Sequence, residues 1–141
     1  MLLAADVGNT QSHMGLFEGD ELVQHWRFAT QVEATADELA VGVSTLLALR
    51  GLEAGAVDGT IVSSVVPQLT PEYHGMSQRY LQGECLILGP GVKTGMPIQL
   101  DNPRELGADR LANAVAAYDR FGRPCAVADF GTAITFDRVL A

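Results

Sequence analysis

The chain is poor in basic residues and has no long apolar run. Nine Lys and Arg stand against 17 Asp and Glu, so the formal net charge is −8 and the pI about 4.6. That balance argues against nucleic acid or an anionic membrane surface as a bulk partner, while leaving room for a local phosphate site. No stretch approaches the ~20 apolar residues of a membrane span. The first apolar run lacks a basic leader and is broken by Asp6, so it does not read as a signal peptide. Only two cysteines occur, Cys85 and Cys125, far apart and without metal-ligand spacing. They read as core thiols of a reducing compartment, and a cytoplasmic protein is expected. Aromatic residues make up 6% and, like His25 and His74, point to no chemistry of their own.

The chain does have enough apolar material for a core. Of its 141 residues 48% are hydrophobic and 18% charged, as in an ordinary globular domain. Residues 2–7 read as a buried strand, and "SHMGLFEGDELVQHWRFAT" as two strands joined through Gly19 and Asp20. Thr35 to Arg50 reads as a helix, capped by Thr35 with Glu38 three positions on and ended by Gly51. Leu39, Val43, Leu46, Leu47 and the Arg50 stem would share its inner face. A strand over 57–66, a helix over 71–82 and a short strand over 85–88 follow, then a Gly/Pro-rich loop, "GPGVKTGMP", over 89–97. Within 101–122 two helix starts are open. One is early, with Asn102 as cap and Pro103 first; the other is near Ala108, after a shaped approach. Gly122 ends the helix in both. Two more strands follow. The order βββαβαβα predicts an α/β domain with a mixed central sheet flanked by helices.

One motif occurs twice. "LAADVGNTQS" at 3–12 and "AVADFGTAIT" at 126–135 each run an apolar strand onto an aspartate, then a hydrophobic residue, a glycine and small polar residues, then a second strand. Such a turn offers backbone N–H groups as an anion nest, and its glycine admits a phosphate close to the backbone. Asn9, Thr10 and Thr132 add side-chain donors. Asp6 and Asp129 are the equivalent carboxylates, each placed to hold a cation directly or through water. Two such turns facing each other would clasp a polyphosphate. Two hairpins whose Asp and Gly merely suit tight turns are the plain alternative.

The doubled motif resembles the superfamily of acetate and sugar kinases, heat-shock ATPases and actin, in which two duplicated ribonuclease H-like domains hold ATP between paired phosphate loops. The resemblance implies a ribonuclease H-like, actin-like ATPase domain over 1–122. The second copy would begin over 123–141 with its first hairpin only, so the chain reads as part of a protein nearly twice as long. With "DNPRELGADRLANAVAA" at 101–117, "SSVVP" at 63–67 and the "TGMP" loop, the whole chain closely resembles type III pantothenate kinase.

That family transfers the ATP γ-phosphate to pantothenate, the first step of coenzyme A synthesis. The resemblance implies Asp109 as general base, with Gly107, Ala108, Arg110 and position 100 near pantothenate. Position 100 is Leu100 here, where many members carry a tyrosine. It implies that Asp6, Val7, Gly8, Asn9, Thr10, Gln11, Ser12 and His13 bind ATP phosphates, with Asp6 near Mg²⁺. It implies that Thr132 contacts ATP and that Asp129 holds a monovalent cation, potassium or ammonium. Arg110 would fork the pantothenate carboxylate. Read from the residues alone, Asp109 and Arg110 could equally be a solvated pair at a helix start, and His13 could face a phosphate or solvent.

A homodimer is expected, without nucleic acid or membrane partners, and little activity from this chain alone. A non-catalytic transcriptional regulator related to these kinases is the second reading, disfavoured by the intact Asp6, Asp109, Arg110 and Asp129. A superfamily kinase for a sugar or a carboxylate is the third, disfavoured by "GADR" beside "NP".

Overall fold

The computed structural model describes residues 1–89 and 92–140. The chain divides into two compact units, Met1–Ile87 and Leu88–Ala141. Pro90 and Gly91 of the predicted loop, and Ala141, lie outside the described residues.

The first unit is built on a sheet of order β3-β2-β1-β4-β5. Its strands are β1 (Leu2–Val7), β2 (Gln11–Glu18), β3 (Glu21–Ala29), β4 (Gly59–Ser64) and β5 (Glu84–Leu88). β1 pairs antiparallel with β2, and β2 with β3, so the opening meander is as predicted. β1 also pairs in parallel with β4, Leu2 opposite Gly59 and Asp6 opposite Ser63. Side chains alternate across β1. Leu3, Ala5 and Val7 are buried, while Leu2 and Asp6 lie on the other, more open face.

Helices α1 (Ala36–Ala48) and α2 (Leu69–Tyr80) add Ala36, Ala40, Val43, Leu47, Leu69, Tyr73 and Met76 to the core, beside Met14 and Leu16 of β2 and Val62 of β4. The capping box at α1 is formed: Thr35 Oγ1 accepts from Glu38 N at 3.3 Å, and Glu38 Oε2 accepts from Thr35 N at 2.9 Å. Arg50 is exposed, past the end of α1, and Leu39 and Leu46 are half-buried. Glu72 Oε2 of α2 accepts from Ala36 N at 2.7 Å, tying the two helices together at the head of α1.

The bounds of several elements differ from the sequence reading: α1 ends at Ala48 with Leu49 as its cap, before Gly51, and two further elements shift. The apolar run 57–66 is longer than its strand because Val57 and Val66 are buried outside the ladder: Val57 N donates to Ala54 O, and Val66 N to Ser64 Oγ. The second helix starts at Leu69, with Pro71 inside its first turn. A missing N–H costs nothing there, since those groups have no intrahelical acceptor.

The second unit contains helix α3 (Ala108–Phe121) and the antiparallel hairpin β6 (Cys125–Phe130) and β7 (Ile134–Val139). Of the two open helix starts, the later is found. Pro103–Glu105 forms a short 3-10 turn, Gly107 is the cap residue, and Gly122 closes the helix in the left-handed region at φ 60°. Cys125, Val127, Asp129, Thr135, Asp137 and Val139 are the more covered positions of the hairpin; Phe130, Ile134 and Phe136 are exposed.

Candidate active site

The first motif forms the connection between β1 and β2. Gly8 N donates to Gln11 O at 3.1 Å and closes the loop. A Cβ on Gly8 would stand 2.7 Å from that same oxygen, so any other residue would force the turn open. Asn9 and Thr10 are exposed at the tip. Val7 is fully buried and Ser12 is 1% exposed, so neither side chain is at the surface; Val7 O accepts from Val65 N at 3.0 Å. His13 is exposed, opposite Asp6 in the ladder.

Thr30, which the sequence reading passed over, sits just past the end of β3. Its hydroxyl donates to Gly8 O at 2.7 Å and lies 2.8 Å from Ser12 Oγ, and its N–H donates to Thr10 O at 3.0 Å. Behind Ser12 lies Tyr73 of α2. Burial pushes its phenol above the usual range, and a hydrogen bond with Ser12 opposes that.

Ser63 Oγ, in register with Asp6, is the buried side-chain oxygen that has no hydrogen-bond partner among the described residues. A glycine that no side chain can replace and an orphaned hydroxyl beside a carboxylate fit a phosphate and a hydrated Mg²⁺, which typically uses one or two carboxylates. Among the described residues no group of three or more His, Cys, Asp or Glu is placed to hold a metal, so a caged site of protein ligands is not formed there.

In the second unit, α3 presents Asp109 in its first turn, where a carboxylate suits the positive end of the helix. Asp109 Oδ1 accepts from Arg110 N at 2.8 Å. Arg110 Nε lies 3.1 and 3.0 Å from the two oxygens of Asp137, and Nη2 bonds the same carboxylate. That fork raises the Arg110 pKa further above its ordinary value, so the guanidinium stays charged. One edge of Arg110 is thus committed within the chain, and its Nη1–Nη2 edge is the one that can face a substrate carboxylate.

Asn113 Nδ2 donates to Asp129 Oδ2 at 2.8 Å, so α3 also orients the aspartate of the second motif. Thr132 lies exposed in the β6–β7 turn, where Gly131 N donates to Ala133 O at 3.0 Å. A cavity of about 750 Å³ in this unit is lined by Leu100, Leu106, Arg110, Tyr118 and Asp137 among others. It brings together Leu100 and Arg110, two of the predicted substrate contacts. Asp137 and Asn113 went unread because an aspartate in a strand and an asparagine in a helix carry no spacing signal.

The family model for type III pantothenate kinase matches residues 2–141. The chain belongs to the type III pantothenate kinase family. It is 52% identical over 139 residues to a type III pantothenate kinase of Myxococcus xanthus, covering 99% of this chain and 54% of that relative. It is 49% identical over 139 residues to one of Moorella thermoacetica, covering 99% of this chain and 55% of that relative. The chain therefore spans about half the length of the curated type III pantothenate kinases it matches. Among solved structures it is similar to one described as a 2-dehydro-3-deoxygalactonokinase from Sinorhizobium meliloti. The TM-score is 0.56 at 13% identity, covering 100% of this chain and 50% of the other. At that identity the likeness shows the fold alone, and it agrees with the actin-like ATPase architecture expected for this kinase family.

Proposed function

We propose that the protein transfers the γ-phosphate of ATP to pantothenate, giving 4'-phosphopantothenate, the first step of coenzyme A biosynthesis. The observation that carries this reading is the match to type III pantothenate kinases along the whole chain, with Asp6, Asp109, Arg110 and Asp129 all intact. The proposed domain division is a ribonuclease H-like domain over 1–122 and the start of its duplicate over 123–141. The protein acts as a cytoplasmic homodimer, without nucleic acid or membrane partners. Among the described residues no helix is long and apolar enough to cross a membrane.

Phosphoryl transfer asks a protein for positioning, charge neutralisation and a group to take the hydroxyl proton. In this reading the Asp6–His13 segment binds the ATP phosphates, its backbone N–H at Asn9 foremost, and Thr132 contacts the nucleotide. Asp6 holds Mg²⁺ through water, and the ion supplies neutralisation of phosphate charge. Asp109 orients the pantothenate hydroxyl and accepts its proton late, as the bond to phosphorus forms. Gly107, Ala108 and Leu100 line the pantothenate site. Arg110, held by Asp137, pairs with the pantothenate carboxylate. Asp129 holds a potassium or ammonium ion.

The test is mass-spectrometric detection of phosphopantothenate after incubation with ATP, Mg²⁺, potassium and pantothenate. The 141-residue chain and the protein at the full length of its gene are compared, with Asp109→Asn as control. Product from the full-length protein, lost in Asp109→Asn, is the expected result. No product from either form would sink the kinase reading and favour the regulatory one.

A further inference from the structure

We propose that Thr30 is a positioning residue that sets the phosphate-binding turn, by fixing the direction in which the Asn9 N–H points. The inference rests on the reading of the first motif as a phosphate site. It concerns a residue outside that motif, on a different strand.

The argument begins with proton accounting. A threonine hydroxyl has one proton, and a carbonyl oxygen can only accept. Thr30 Oγ1 lies 2.7 Å from Gly8 O, so its proton goes there. It must then accept from Ser12 Oγ, 2.8 Å away, which fixes the direction of that bond too. Ser12 is buried, as is Tyr73 beside it. The result is a one-way hydrogen-bonded path from Ser12 through Thr30 to the turn.

Next comes peptide geometry. The chain has no cis peptide bond among the described residues, and a trans peptide is planar. Its N–H therefore points opposite to its C=O. Holding Gly8 O toward Thr30 aims the Asn9 N–H away from Thr30. Thr30 N holds Thr10 O, and Gly8 N holds Gln11 O. Three carbonyls that would repel a phosphate are thus tied into the scaffold. The turn is organised before any nucleotide arrives, and less ordering is left for binding to supply.

A clamp of this kind acts on nucleotide affinity rather than on chemistry. The experiment uses the full-length protein and compares Thr30→Val, Thr30→Ser and Gly8→Ala for MgATP affinity, ATP KM and kcat. Valine keeps the shape and the backbone N–H but removes the hydroxyl, whereas serine keeps the hydroxyl. Thr30→Val is expected to raise the ATP Kd and KM about tenfold, equivalent to about 1.4 kcal/mol, with kcat at saturating ATP within about twofold. Thr30→Ser is expected to stay within about twofold of wild type. Gly8→Ala is expected to lose nucleotide binding.

Wild-type affinity in Thr30→Val, with Gly8→Ala defective, would overturn the clamp and leave the phosphate reading standing. Equal weakening in Thr30→Val and Thr30→Ser would also overturn it, because the hydroxyl would not be the cause. Unchanged binding in Gly8→Ala would remove the phosphate reading and the clamp with it. A second measurement needs no variant: in an amide NMR titration of the wild type with MgATP, the Asn9 resonance is expected to be among those that move most. A stationary Asn9 amide would refute the inference even if Thr30→Val failed to fold.

Discussion

Asn113, in the second turn of α3, donates from Nδ2 to Oδ2 of Asp129 at the end of β6, 2.8 Å away. One oxygen of Asp129 is thus engaged and the carboxylate has a set orientation. If Asp129 holds a monovalent cation, Asn113 acts on that cation without touching it. Asn113→Ala is expected to raise the potassium concentration for half-maximal activity about tenfold, with maximal activity largely retained at high potassium. Potassium titrations of wild type and variant check this. An unchanged midpoint would separate Asn113 from the cation and would also weaken the assignment of Asp129.

Asp137 and Arg110 form a fork that joins α3 to β7. The side chains are 16% and 30% exposed, so removing the carboxylate leaves a partly covered charge unpaired. Asp137→Ala is expected to destabilise by about 1 kcal/mol, the low end for a lost charged hydrogen bond because solvent still reaches the pair. If Arg110 pairs with the pantothenate carboxylate, as proposed, Asp137→Ala also raises the pantothenate KM, since Arg110 loses its orientation. Urea unfolding and steady-state kinetics read the two effects. A raised KM without destabilisation would mean that Asp137 works at the site and not in the fold.

Glu38 closes the capping box of α1, and its carboxyl titrates below its usual 4.5 because the Thr35 backbone N–H and then the Thr35 hydroxyl bond to the ionised form. A depressed folded-state pKa gives stability that is present above the unfolded value and lost as pH falls through the folded one. Glu38→Gln keeps an acceptor at the same place but cannot titrate. The variant is expected to lose less thermal stability than wild type between pH 6 and pH 3. Melting curves at the two pH values test it, and parallel losses would show that the cap does not contribute to acid sensitivity.

The exposed side of the hairpin is strongly apolar. Phe130 is 75% exposed, Ile134 60% and Phe136 71%, with Phe130 directly opposite Ile134 in register. A surface of this kind on two strands invites association. If the protein continues to the length of its relatives, the 141-residue chain is expected to bind a hydrophobic dye and scatter light at concentrations where the longer form does neither. Phe130→Ser with Phe136→Ser is expected to reduce both signals. Equal behaviour of the two lengths would mean that the remainder of the protein does not cover this face.

Much of this was legible in the residues. The meander, the capping box of α1, the stop at Gly122 and the two Asp-x-Gly turns all rest on local chemistry, and each is found where the sequence places it. Local rules failed where long-range packing decides. Val57 and Val66 look like strand but are buried by turns. Arg50 looks like part of a helix face but lies past the helix end. Nothing near Thr30 in the sequence tells that it will meet Gly8, because strand pairing alone makes them neighbours. The partners Asn113 and Asp137 were hidden for the same reason: their meaning lies in what the fold sets opposite them.

The place of β1 in the sheet has a kinetic consequence. Its antiparallel neighbour β2 follows after a tight turn, whereas its parallel neighbour β4 arrives only after β3 and α1. The rim of the turn between β1 and β2 closes through sequence-near contacts, but its floor, the bond from Val65 N to Val7 O, waits for the distant pairing. If this turn binds a nucleotide, as proposed, a ligand that needs rim and floor together recognises the chain only after that distant pairing. MgATP is therefore expected to retard unfolding in proportion to its occupancy and to leave the refolding rate where it was.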